Sequence, residues 1–163
     1  MLRHGKSDWD ADYGTDDRLR PLAPRGKRAA QTIGRFLAAT EQVPERVLVS
    51  PAVRAQDTLE MAMRAGDWKA EVVTCEGLYG FIHDVLDTIR RDGGDAERLM
   101  IVGHELAWSE VASILARGAR FRLPTASVLR LNFDIDDWAA LQGDGQIQWL
   151  VTPRMLKAFA KRS

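Results

Sequence analysis

Cysteine is almost absent from the chain: Cys75 stands alone among 163 residues. That excludes an intrachain disulfide framework and any zinc site built from several thiolates. The lone thiol is expected to serve as a small buried hydrophobe. Histidine is nearly as scarce, and His4, His83 and His104 share no metal-ligand spacing. A metal site is not expected on that basis, and no cofactor is expected. An excess of one charge is missing too, with 23 Lys and Arg against 23 Asp and Glu. Such a surface is not built to neutralise a polyanionic backbone, so nucleic acid is not an expected partner. No apolar run approaches the roughly 20 residues of a membrane span. Charged residues follow Met1 and Leu2 at once, leaving no apolar core for a signal peptide. A cytoplasmic monomer is therefore the default expectation.

What is present suits one domain over residues 1–163, since 45% apolar residues supply a core with two faces. Apolar periodicity alternates between short runs and helical stripes. Ala30, Ile33 and Leu37 share one helical face behind Pro24, whose fixed φ suits a first turn. Further stripes are Ala55, Leu59, Ala62 and Met63, then Ile82, Val85, Leu86 and Ile89, then Ala107, Val111, Ile114 and Leu115. Gly93 with Gly94, and later Gly118, close the last two. Between the stripes lie strand-like runs at 46–49, 71–74, 99–102, 127–133 and 146–151. Those at 47–49 and 100–102 are apolar throughout, as strands covered on both faces are, whereas 127–133 alternates and is expected nearer an edge. Strand and helix taking turns predicts an α/β fold of three layers, α/β/α, around a mostly parallel central sheet. Residues 153–163 read as a C-terminal tail or helix.

The chemistry starts at Leu2-Arg3-His4-Gly5-Lys6-Ser7-Asp8-Trp9, which sets a permanent cation beside an imidazole at the end of an apolar stub. Phosphoryl groups arrive with two negative charges. Attack on phosphorus therefore needs a nucleophile held neutral and cations around the equatorial oxygens. Two more strands end in the same way. Val47-Leu48-Val49-Ser50-Pro51 leads to Arg54, and Leu99-Met100-Ile101-Val102-Gly103 ends at His104. Ligands of open parallel sheets gather at the carboxyl ends of the strands, so topology would bring these distant groups to one rim. Neighbouring arginines disfavour a protonated imidazole, which should keep His4 nucleophilic near neutral pH. A cation in the first turn of a helix, as Arg54 would be, is unfavourable unless an anion lies beside it.

These stretches, with Arg20-Pro21-Leu22, Arg25-Gly26, Ala55 and Thr58, resemble the histidine phosphatase superfamily from residue 2 to about 151. Within it the likeness is to small phosphohistidine phosphatases of the SixA type. The resemblance implies a phosphoglycerate-mutase-like fold, His4 as the phosphorylated nucleophile, Arg3 and Arg54 as phosphate clamps, and His104 as the second imidazole. Arg20 looks like the family's additional arginine near the substrate, and Ser7 is a further candidate substrate-binding residue. Only Met1 and Leu2 precede Arg3, so the first strand is expected to be shorter than the family's.

Two departures from the family pattern bear on substrate. Ester phosphatases of the superfamily usually carry a glutamate two residues after a leucine in the loop following the third strand, and here Gly80 follows Leu78 at that spacing. Glu76 and Asp84 are the nearby candidates for a general acid. An imidazole leaving a phosphohistidine is far less basic than an alkoxide and depends less on such an acid. The chain also carries no long insertion between Thr58 and Leu99 to close over a small metabolite. Both points favour a metal-independent phosphohistidine phosphatase whose partner is a phosphorylated protein, such as a histidine-containing phosphotransfer domain. A small-metabolite phosphomonoesterase and a catalytically silent phosphate- or phosphoprotein-binding module are the alternatives. Glu105, where the family leads one to expect Asn-Pro or similar, could raise the pKa of His104 or repel phosphate.

Overall fold

The computed structural model describes residues 1–105 and 107–160. Eleven regular elements follow in order: β1 (Leu2–Arg3), α1 (Pro24–Ala39), β2 (Arg46–Val49), α2 (Val53–Gly66), β3 (Glu71–Thr74), α3 (Ile82–Asp92), β4 (Leu99–Gly103), α4 (Ala107–Leu115), β5 (Val128–Asn132), β6 (Gln146–Val151) and α5 (Pro153–Ala160). Short 3-10 turns at Asp17–Leu19, Glu76–Tyr79 and Trp138–Ala140 punctuate the loops.

The strands form one sheet in the order β3-β2-β4-β1-β5-β6. Pairs β3/β2, β2/β4 and β4/β1 are parallel, and β5 runs antiparallel to both β1 and β6. Five strands thus share one direction, in agreement with the mostly parallel sheet expected. The alternating run around Leu129 becomes β5, one place in from an edge, and β1 spans two residues.

Alternation along the strands explains the three layers. Val47, Val49, Met100, Val102 and Val128 turn to one face, where Ile33 and Leu37 of α1, Ala55, Leu59 and Ala62 of α2, and Leu156 of α5 meet them. Leu48, Ile101 and Leu129, each one residue out of phase, pack on the other face with Val85 and Ile89 of α3 and Trp108, Val111 and Leu115 of α4. The pleat sends successive side chains to opposite faces, so a continuous apolar run serves both. Cys75 lies buried in this second layer, and burial pushes its thiol up to about 11, consistent with an inert packing residue. Of the C-terminal segment, 153–160 is helix, and 161–163 lie outside the described residues.

Candidate active site

The carboxyl ends of β1, β2 and β4 set the site. His4 follows β1 directly, and its N–H bonds to the Gly103 carbonyl at 2.9 Å, so the ends of β1 and β4 are held together. Trp108 fixes this junction from below. Its fully buried indole donates to the Leu2 carbonyl at 3.1 Å, and its ring lies where any side chain on Gly103 would have to go. The loop after β1 is anchored by two further contacts. Gly5 N–H donates to Thr58 Oγ1 at 2.9 Å, and that hydroxyl donates to the Arg54 carbonyl at 2.6 Å, joining the loop to α2. Gly26, in the first turn of α1, touches the Lys6 backbone so closely that a Cβ there would strike the Lys6 carbonyl oxygen.

The result brings His4 and His104 together and sets Arg54, Arg3 and Arg20 close enough for their charges to act on His4. His4 and His104 face one another with ring centroids 5.0 Å apart. His4 is buried, and its Nδ1 lies 2.6 Å from the Gly5 carbonyl. A carbonyl can only accept, so Nδ1 carries the proton and Nε2 keeps its lone pair. Burial, then the charges of Arg54, Arg3 and Arg20, outweigh the Gly5 bond and bring the His4 pKa down to about 4. The ring is therefore neutral at physiological pH. His104 is lowered further, to about 3, by burial first and then by His4, Arg54 and Arg20. Its Nε2 lies 2.7 Å from Ser50 Oγ, while its buried Nδ1 has no partner among the described residues.

Arg54 sits in the first turn of α2, and the anion that such a placement calls for is Asp17. Its Nη1 donates to the Asp17 carbonyl at 2.6 Å and its Nη2 to Asp17 Oδ2 at 2.8 Å. Arg20 donates from Nε to Asp17 Oδ1 at 2.8 Å and from Nη1 to Ser7 Oγ, so both substrate-side candidates meet at this loop. The face of the Arg20 guanidinium lies 3.6 Å from the centre of the Trp9 ring. Arg3 is turned differently: Nη1 donates to the Leu123 carbonyl and stands 3.8 Å from Glu105. The Nε atoms of Arg3 and Arg54 are buried without a partner among the described residues.

The two candidate acids are engaged elsewhere. Glu76 pairs with Arg18 at 2.9 Å on the surface. Asp84 accepts the Phe81 N–H at 2.7 Å, completing the first turn of α3, and lies 3.2 Å from the exposed His83. What the loop after β3 does supply is Tyr79. Its ring meets His104 edge-on at 5.2 Å between centroids, and its hydroxyl donates to Asp17 Oδ2 at 3.0 Å. Glu105 does not raise His104, because its carboxylate turns toward Ser109 and Arg3 and burial dominates the imidazole. Asp17, Tyr79 and Ser50 are the site residues the sequence reading did not single out. The one available signal was Asp17 standing three residues before Arg20 in the same loop.

No group of three or more His, Cys, Asp and Glu gathers as metal ligands would among the described residues. None of their helices is long and apolar enough to cross a membrane. A cleft of about 650 Å³ opens at the opposite end of the sheet, against Arg98, Met100, Leu129 and Trp149, remote from both imidazoles.

Comparison with known proteins agrees with this fold. Residues 1–81 match the family model of the histidine phosphatase superfamily, branch 1. The uncharacterized protein Rv1276c of Mycobacterium tuberculosis is 40% identical over 116 residues, spanning 71% of this chain and 70% of that one. The phosphohistidine phosphatase SixA of Escherichia coli is 27% identical over 165 residues, or 96% and 94% of the two chains. The solved structure of the protein histidine phosphatase SixA complexed with tungstate superposes with a TM-score of 0.79. It covers 95% of this chain and 96% of that chain at 23% identity, a likeness of fold. With its fold, its paired imidazoles and its sequence relatives in agreement, the chain belongs to the histidine phosphatase superfamily.

Proposed function

We propose that the chain is a metal-independent phosphatase that transfers the phosphoryl group of a protein phosphohistidine to His4 and then to water. The pocket supports the first half of that sequence. His4 is neutral, and its tautomer is fixed by Gly5, so Nε2 can attack phosphorus in line with the leaving nitrogen. The free Nε–H groups of Arg3 and Arg54 and the unpartnered Nδ1 of His104 are the donors a phosphoryl group can satisfy. If Ser50 donates its hydroxyl proton to Nε2 of His104, Nδ1 carries a hydrogen for an equatorial oxygen. Such donors act most strongly where charge builds in the transition state.

One observation carries the choice of substrate. The loop after β3 places Tyr79 against His104, while the carboxyls of Glu76 and Asp84 are tied to Arg18 and to the start of α3. Asp17, the carboxylate bonded to the arginines, is held ionised, with a pKa of about 2. None of these carboxyls is poised to protonate an alkoxide, which a phosphate ester requires and a phosphoramidate requires much less. The name of the Escherichia coli relative points to the same bond.

The test is a substrate comparison. The purified chain should dephosphorylate a histidine-containing phosphotransfer domain and free phosphohistidine with kcat/KM at least about a hundredfold above sugar phosphates. A preference for small phosphate esters would replace this reading with that of a metabolite phosphatase. Phosphate binding without turnover of either class would leave a binding module.

A further inference from the structure

Three side chains converge on one carboxylate. Asp17 accepts Arg20 Nε at Oδ1, Arg54 Nη2 and the Tyr79 hydroxyl at Oδ2, and Arg54 Nη1 at its own carbonyl. The sheet and its helices do not demand this arrangement, because Asp17 opens a 3-10 turn in the loop between β1 and α1 and its side chain is 44% exposed. The guanidiniums it serves are another matter: the Arg20 and Arg54 side chains are only 7% and 6% exposed. Buried cations side by side are costly unless each is paired and hydrogen-bonded.

We infer that Asp17 is a positioning residue of this site, fixing the planes of Arg54 and Arg20 and offsetting their charge so that phosphate is bound for reaction but not retained afterwards. The inference rests on the reading of the site as a phosphatase centre.

Each terminal nitrogen of Arg54 gives one N–H to Asp17, which fixes the plane of the fork and leaves the Nε–H and the second N–H of each terminal nitrogen to meet an anion. A fork held by two bonds loses little freedom when substrate arrives. Charge follows the same logic. Arg3, Arg20 and Arg54 carry three positive charges, and Asp17 and Glu105 answer two of them. Without Asp17 the pocket would hold two buried guanidiniums in need of an anion, and the product is a dianion. Tighter binding of that ground state does not accelerate the chemical step, and it slows escape. Tyr79 makes the hub part of the pocket wall, since the ring that packs on His104 also donates to Asp17.

The experiment uses the full chain with Asp17→Asn and Tyr79→Phe, the phosphoramidate ion as substrate, inorganic phosphate as product inhibitor, and circular dichroism to confirm folding. In Asp17→Asn, kcat should fall about tenfold or more while the inhibition constant of phosphate falls at least about fivefold. Tyr79→Phe removes a hydrogen bond and no charge, so its phosphate inhibition constant should stay within about twofold of the wild type. Should Asp17→Asn fail to fold, Asp17→Ser removes the same charge and is judged by the same criteria. Unchanged or weaker phosphate affinity in the charge-removing variant overturns the inference, and so does an unchanged kcat. If the wild type itself neither hydrolyses phosphoramidate nor binds tungstate in a calorimeter, the phosphatase reading falls and takes this inference with it. A working wild type with an indifferent Asp17→Asn removes only the inference.

Discussion

Thr58 Oγ1 joins two parts of the site that are far apart in the chain: it accepts the Gly5 N–H at 2.9 Å and donates to the Arg54 carbonyl at 2.6 Å. The residue after the candidate nucleophile and the candidate phosphate clamp are thereby referred to one buried hydroxyl.

Replacing Thr58 with valine keeps the shape and removes the hydroxyl. The Gly5 N–H, buried in the wild type, would lose its partner at a cost of about 1–3 kcal/mol. Urea unfolding should show that loss. Activity should fall further than stability predicts, because the loop carrying His4 would no longer be registered against Arg54. A Thr58→Val protein as stable and as active as the wild type would show that the link is incidental.

Gly26 makes a second, steric tie to the same loop. Its Cβ-less face lies on the Lys6 backbone, and a methyl there meets the Lys6 carbonyl oxygen. The Lys6 atoms it would meet are all backbone and cannot swing aside, so Gly26→Ala must push the loop away from α1. Overpacking of this kind costs about 1–3 kcal/mol. A lowered melting temperature, with kcat reduced more strongly than KM is raised, is the expected pattern. Wild-type kinetics in Gly26→Ala would contradict it.

The two imidazoles predict an unusual acid response. His4 at about 4 and His104 at about 3 are depressed from an ordinary value near 6.5. Between about pH 6.5 and 3 the unfolded chain binds protons that the folded chain refuses, so stability rises with pH across that window. The contribution is complete above pH 6.5 and is lost as pH falls. A double variant, His4→Asn with His104→Gln, should therefore lose less stability than the wild type between pH 7 and pH 4 by thermal melting. The acid limb of kcat/KM, which reports the free enzyme, should lie below pH 5. A half-loss at pH 6.5 would mean that the rings are not desolvated as their burial and neighbouring arginines require.

The parts of this molecule that could be read from its sequence are those written in local pattern. The runs at 47–49 and 100–102 are apolar at every position because their strands face helices on both sides. The stripe of Ile82, Val85 and Ile89 is legible because α3 buries one face only. His4, Arg54 and His104 could be placed together because each follows a parallel strand, and topology does the rest. Asp17 was illegible for the opposite reason. Asp16-Asp17 reads as a turn, and its partners Arg54 and Tyr79 stand 37 and 62 residues away. Tyr79 and Ser50 are likewise defined by contacts with His104 that no local pattern encodes. Glu76 and Asp84 were plausible acids by position in the chain, and the exposed ion pair and the helix cap that hold them are three-dimensional facts.

The most direct test of the account is to trap the intermediate. The chain is mixed with phosphoramidate labelled at phosphorus, quenched within milliseconds to seconds in alkali, and digested for mass spectrometry. Base-stable, acid-labile phosphate on His4, absent from His4→Ala, is the expected result. Turnover with label on another residue, or with none at all under conditions that preserve phosphohistidine, would contradict the central claim that His4 is the nucleophile.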